Sequence, residues 1–471
     1  MIWNLIVNYL NQTSGYHIFV ESILFLTVIY LLLFRNKRST NSRREKLTDK
    51  EKQQLIDEWI PEPLAPDIHS DHYALKPKII SSKYGKYVSV DGKKCLNLAT
   101  HNYLGLNDEQ SLEDAALAGL KQYGVGSCGP RGFYGTIDIH LELEKRLAAF
   151  LNVEEVILYS YGLSAVSSAI PAYAKKGDVI FCDEGVHFAI QKGLVASRSS
   201  IKYFKHNDVN DLHRLLKEQE KQDIKNPKVA KVTRRFLVVE ALYLNHGDLC
   251  PLREMLELKK QYKVRIFVDE TVSFGVLGEN GRGITEHLNI PIDDIDHISA
   301  TLEHAISGYG GFCAGTTFIV DHQRLSGLGY CFSASLPPLQ TAVAIAALDI
   351  LESKPNITHK LRSNCEYIHK KLNSLISCKV FGETFSPVKH LRFAEPLESH
   401  DIETKQLEKI CDHAYQKGYA LTVARYLDEE ILANRPSIRL LINASLNETE
   451  LTEISHVIGE AFDQIFTSNL K

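Results

Sequence analysis

The chain has 471 residues, 44% of them hydrophobic and 24% charged, which is ordinary globular composition with room for one large domain and a smaller one. A net charge of −4 excludes a broad nucleic-acid surface. The nine cysteines are scattered and none forms a C-x-x-C pair, which argues against a zinc site and for reduced thiols in a cytosolic body.

In chain order, residues 1–15 form a short N-terminus and 16–34 a candidate transmembrane helix. Ile18 to Phe34 is almost wholly apolar, with Glu21 its only charge. Seventeen helical residues rise roughly 26 Å, and Tyr16 and His17 extend them towards the interface. No lysine or arginine precedes the run, whereas Arg35, Lys37, Arg38, Arg43, Arg44 and Lys46 follow it. The positive-inside rule therefore puts the N-terminus in the lumen and the body in the cytosol. A buried core helix is the alternative, disfavoured by the one-sided charge. Asn11 begins a glycosylation sequon too close to the membrane for its use to be expected.

Residues 35–80 read as a basic juxtamembrane stretch, an amphipathic helix carrying Leu55, Ile56 and Trp59, and a linker opened by Pro61-Glu62-Pro63-Leu64-Ala65-Pro66. From 81 to 354, apolar runs alternate with helical segments. The runs are Val156-Ile157-Leu158, Val179-Ile180-Phe181, Phe236-Leu237-Val238-Val239 and Ile266-Phe267-Val268; the helices include Ile137 to Leu151 and Val209 to Lys221. This predicts an α/β fold with a mostly parallel sheet covered on both faces, and ligands at the carboxyl ends of its strands. Several strands end in polar residues there: Asp183, Glu240 and Asp269. Residues 355–471 read as a small C-terminal α+β domain.

The residues that suggest chemistry form an ordered set. Asn102-Tyr103-Leu104-Gly105-Leu106 comes first. The glycine-rich stretch Gly124 to Gly135 follows, with Gly126, Ser127, Cys128 and Arg131 inside it and His140, Leu143 and Glu144 beyond. Asp269-Glu270-Thr271 and Phe332-Ser333-Ala334-Ser335-Leu336-Pro337-Pro338 complete it. Taken singly, each has a plain structural reading. Glycine loops are common, Asp269 could cap a strand end, and His187 could be a satisfied core histidine. Ser333 and Ser335 could be turn residues, and Cys128 reads as a packing residue rather than a nucleophile.

In this order, over roughly residues 90 to 460, they resemble the α-oxoamine synthases. These are a branch of the aspartate-aminotransferase-like, fold type I pyridoxal-phosphate enzymes that join an amino acid to an acyl-CoA with loss of carbon dioxide. The resemblance assigns Asp269 to the pyridine nitrogen, His187 to stacking on the ring, Thr301 to the phosphate and Arg439 to the substrate carboxylate. It also shows losses. The family's Schiff-base lysine falls at His304, six residues before Gly310-Gly311, and polar positions fall at Val272 and Leu244. Imidazole cannot form a Schiff base, and no lysine lies between Lys263 and Lys354.

In the family the active site lies between two subunits, and the glycine-rich loop and the Ser333–Ser335 loop reach towards the neighbour. Both are intact here. The resemblance therefore implies a lysine-bearing partner that holds pyridoxal 5'-phosphate covalently, no catalytic residue on this chain, and an endoplasmic-reticulum complex with small membrane regulatory subunits. Two other classes stay open: an independent enzyme holding the amine form of the cofactor non-covalently with His304, and a membrane scaffold for regulators. On the first of the three readings, His304 is a loop filler.

Overall fold

The computed structural model describes residues 15–34, 47–65, 67–68, 70, 72–354, 356–427, 430–432 and 434–469. The sequon at Asn11 and the basic run from Arg35 to Lys46 lie outside them. The chain divides into two compact units, Met1–Pro77 and Lys78–Lys471.

In the first unit a 20-residue helix spans Gly15–Phe34. Most of its described apolar side chains, among them Phe19, Leu24, Phe25, Leu26 and Leu31, are exposed, and Ile29 is half-buried. Among the described residues no helix is long and apolar enough to cross a membrane; the side chains of Ile18, Leu32, Leu33 and Phe34 in this helix fall outside that set. A second helix, Asp49–Glu58, starts with a capping box. The Thr48 hydroxyl accepts the Glu51 amide at 3.3 Å and the Glu51 carboxylate accepts the Thr48 amide at 2.7 Å, satisfying two otherwise orphaned donors. Leu55, Ile56 and Trp59 are exposed, with Trp59 just past the helix end.

The second unit is organised by a seven-stranded sheet. Its strands are β3 (Glu155–Tyr159), β4 (Val179–Asp183), β5 (Ser200–Phe204), β6 (Arg235–Glu240), β7 (Arg265–Asp269), β8 (His297–Thr301) and β9 (Gly311–Gly315), in the spatial order β3-β9-β8-β7-β6-β4-β5. The pairs β4–β5, β4–β6, β6–β7 and β7–β8 are parallel, and β9 runs antiparallel between β3 and β8. The expected mostly parallel sheet is thus present. Its central strands are buried apart from the arginine that opens β6 and the one that opens β7, as continuous Val, Ile, Leu and Phe runs require when helices cover both faces. The helix expected from Ile137 starts at Asp138 and the one from Val209 runs on to Lys225.

Strands β1 (Tyr87–Val90) and β2 (Lys93–Asn97) form a hairpin, and β2 also pairs in parallel with β12 (Tyr419–Ala420). A four-stranded sheet, β10 (Cys378–Phe381), β11 (Val388–Phe393), β14 (Ile438–Leu441) and β13 (Thr422–Val423), closes the C-terminal region. The last stretch therefore contributes one strand to the N-terminal hairpin while building its own sheet.

Candidate active site at the carboxyl end of the sheet

Three neighbouring strands deliver polar groups to one place. Asp269 ends β7, and the register sets it beside Glu240 at the end of β6 and Ser299 in β8. Asp269, Glu240 and His187 are all buried. The Asp269 carboxylate accepts the Ser299 hydroxyl at 2.8 Å, the Thr271 amide at 3.0 Å and Nε2–H of His187 at 3.4 Å. Burial opposes its charge, yet the His187 hydrogen bond and the other donors hold it below the usual carboxylate range. Burial pushes Glu240 up to about 7, although it accepts the His187 amide at 2.6 Å and the Leu244 amide at 2.9 Å.

His187 caps the helix Phe188–Ser197: its Nδ1 accepts the Ala189 amide at 3.2 Å. That contact needs a bare Nδ1, so the proton sits on Nε2 and faces Asp269. Burial disfavours a second proton, but Glu240 and then Asp269 outweigh it and raise the ring's proton affinity.

His304 is fastened as an aromatic, not presented as a base. Nδ1–H donates to the Thr271 carbonyl at 3.1 Å, and the ring stacks on His101 with centroids 4.1 Å apart and planes 18° apart. Tyr103 meets it edge-on at 5.8 Å. Burial pushes His304 down to about 4; the Thr271 carbonyl opposes this, and His187 and Arg439 add to it. The imidazole is neutral at physiological pH. His101, which shares a 2.7 Å hydrogen bond with the Tyr103 hydroxyl, is held well below the usual imidazole range by burial and by His304 and Arg439. Arg439 lies on β14 opposite His390 and Thr422, and its enclosed Nε has no hydrogen-bond partner among the described residues.

One step from this cluster, Thr301 donates its hydroxyl to the Gly310 carbonyl at 3.1 Å and accepts the Glu303 amide at 3.2 Å. The Glu303 carboxylate accepts the amide of Gly162, the first residue of the helix Gly162–Tyr173, at 3.3 Å. Gly162 is required by close approach: a Cβ there would lie 2.5 Å from the Thr301 hydroxyl oxygen.

The two expected neighbour-facing loops are bound to each other. Ser335 donates through its amide to the Gly129 carbonyl at 3.0 Å and through its hydroxyl to the Gly135 carbonyl; the Ser127 hydroxyl donates to the Ser335 carbonyl at 2.8 Å. His140 donates to the Leu336 carbonyl at 2.7 Å. Arg131 turns inward: its guanidinium grips the Glu144 carboxylate at 2.8 and 3.0 Å and bonds the Thr136 hydroxyl at 2.9 Å. Gly135 packs so tightly that a Cβ would stand 2.0 Å from the Gly129 carbonyl oxygen. Gly124, which ends the helix Gln110–Tyr123 at φ 79°, and Gly126 have open space around them. Ser333 is half-buried, and Cys128 is exposed. So are Val125, Phe133, Tyr134 and Phe332, the last three at 68%, 104% and 77%.

Residues 93–458 match the family model for aminotransferase class I and II. The chain belongs to the class I and II aminotransferase family. It is 42% identical over 442 residues to "Long chain base biosynthesis protein 1" of Arabidopsis thaliana, covering 93% of this chain and 90% of that protein. It is 38% identical over 481 residues to "Serine palmitoyltransferase 1" of Dictyostelium discoideum, covering 99% of each. Among solved structures, Sphingomonas wittichii serine palmitoyltransferase superposes with a TM-score of 0.73 at 25% identity, covering 88% of this chain and 95% of that one. A structure of SPT with a PLP internal aldimine also gives 0.73 at 25% identity, covering 88% and 96%.

Within this aminotransferase family frame, the residues present do not fit a resident pyridoxal phosphate. Position 304 offers a pinned neutral imidazole and no amine. Both Asp269 oxygens already have in-chain donors. A carboxylate, Glu303, sits where Thr301 and the Gly162 helix terminus converge, the place best suited to a phosphate. Val272 is buried and apolar, and Leu244 engages its neighbours through its backbone, to Glu240 and to His390. Three cavities among the described residues are lined by other parts of the unit.

Sequence reasoning missed Glu303 and His101. Glu303 was readable as a charge flanking position 304; His101 emerges only when Tyr103 and His304 are brought together in space.

Proposed function

We propose that this chain is the non-catalytic, obligatory subunit of serine palmitoyltransferase. That enzyme condenses L-serine with palmitoyl-CoA to 3-ketosphinganine in the first step of sphingolipid synthesis. The names of the relatives favour long-chain-base synthesis. One observation carries the division of labour: a neutral, stacked imidazole stands at position 304, while the glycine-rich and Ser333–Ser335 loops remain knitted together behind an exposed apolar tip.

On this reading a lysine-bearing partner holds pyridoxal 5'-phosphate covalently, and the cofactor supplies the electron sink for carbon–carbon bond formation and decarboxylation there. This chain's part is to complete the shared pocket and hold it closed to water. Phe133, Tyr134, Val125 and Phe332 offer the partner exposed apolar side chains of the kind that subunit interfaces bury. Arg131 and Glu144 stiffen the turn that carries Phe133 and Tyr134.

The helix Gly15–Phe34 is the membrane anchor in this proposal. Twenty residues rise roughly 30 Å, and their exposed apolar side chains suit lipid better than water. With lysine and arginine on its C-terminal side only, the N-terminus is lumenal and the body faces the cytosol at the endoplasmic reticulum. The same helix, with Leu55, Ile56 and Trp59, is where small membrane regulatory subunits would gather.

The test is covalent. The chain is co-purified with a lysine-bearing homologue, treated with borohydride, and each polypeptide is weighed by mass spectrometry. The proposal expects the reduced pyridoxyl mass on the partner and an unmodified mass here. A pyridoxyl adduct on this chain would overturn it.

A further inference from the structure

The geometry points to Glu303 as a built-in anion that closes this chain's own phosphate seat. A helix N-terminus carries free amides and a partial positive charge, and small anions settle there. The helix Gly162–Tyr173 has no side-chain cap from Tyr161. Its first amide, from Gly162, is instead taken by the Glu303 carboxylate at 3.3 Å; burial raises the proton affinity of Glu303, and this amide acts against that shift.

The surroundings suit a small tetrahedral anion. Gly162 leaves no Cβ in the way, and the Thr301 hydroxyl lies against the same spot. A single in-chain carboxylate supplies the negative charge, and a second anion brought there would meet it at close range. The losses at this site are therefore of two kinds. His304 removes the covalent tether, and Glu303 independently excludes the phosphate group. Either suffices alone, so a lysine at 304 restores only half of what is gone. The inference does not depend on which partner the chain takes, and it concerns binding by this chain alone.

The experiment is equilibrium dialysis of the full-length chain in detergent against radiolabelled inorganic phosphate. It compares the wild type, Glu303→Gln, Glu303→Gly, and Glu303→Gln combined with Thr301→Val. Removing the charge is expected to tighten phosphate binding at least tenfold, a lower bound after solvent screening of a charge pair at this range. Adding Thr301→Val should cancel the gain, which localises the phosphate. Equal affinity in the wild type and Glu303→Gln overturns the inference, as does a gain that survives Thr301→Val. Circular dichroism monitors folding; if Glu303→Gly does not fold, the near-isosteric Glu303→Gln carries the comparison.

Discussion

Replacing Arg131 by alanine should cost far more than its place in a glycine-rich surface loop suggests. Arg131 and Glu144 are both buried, at 7% and 6% exposure. The guanidinium makes two bonds to the carboxylate and one to Thr136, and the same carboxylate accepts the Leu158 amide of β3 at 3.0 Å. Deleting the arginine leaves a buried carboxylate without its cation, a change that costs about 3–5 kcal/mol. Arg131→Lys keeps the charge but loses the fork and the Thr136 bond, so it should fall between alanine and wild type. Urea unfolding of the full-length chain, followed by far-UV circular dichroism, reads the difference as a shift in midpoint. Because the turn carries Phe133 and Tyr134, capture of the partner should weaken in parallel. A loss below about 1 kcal/mol for Arg131→Ala would refute the claim that this pair anchors the loop.

Both ring nitrogens of His297 are buried without a partner among the described residues, and burial pushes the ring down to about 4. Between about pH 6.5 and 4 the unfolded chain binds this proton and the folded chain does not, so stability present above pH 6.5 is lost as pH falls. His297→Leu should flatten that acid limb and raise stability by about 1 kcal/mol at neutral pH, measured by thermal melts across pH; an unchanged limb would contradict the assignment. Phe133→Asp combined with Phe332→Asp should reduce pull-down of the lysine-bearing partner at least tenfold while leaving the chain's own melting temperature within about 2 °C. Loss of stability without loss of capture would mean that these rings are not the contact. His304→Lys should add no second active site, because Glu303, Val272 and Leu244 remain; a doubled turnover of the complex would show that the single change is enough.

The α/β architecture was legible wherever burial on both faces forces an uninterrupted apolar strand, as in Phe236 to Val239. β8 and β9 were not, because His297-Ile298-Ser299-Ala300-Thr301 and Gly311-Phe312-Cys313-Ala314-Gly315 carry small or polar residues on strands that tertiary packing buries. β12 was equally hidden, since a two-residue strand from the C-terminal stretch gains its meaning only from pairing with Leu96 and Asn97. At the site, Asp269 and His187 were readable from pattern and do meet in space. Arg131 was read as a loop residue turned towards a neighbour, but charge pairing with Glu144 draws it inward. That preference depends on a buried partner 13 residues away, which spacing alone does not reveal.

The central claim is that the chemistry belongs to another polypeptide. Serine-dependent release of coenzyme A from palmitoyl-CoA, assayed for this chain alone, for a lysine-bearing partner alone and for the two co-purified, tests it most directly. The account predicts no turnover from this chain by itself and full turnover only from the pair. Full activity from the lone chain would contradict it.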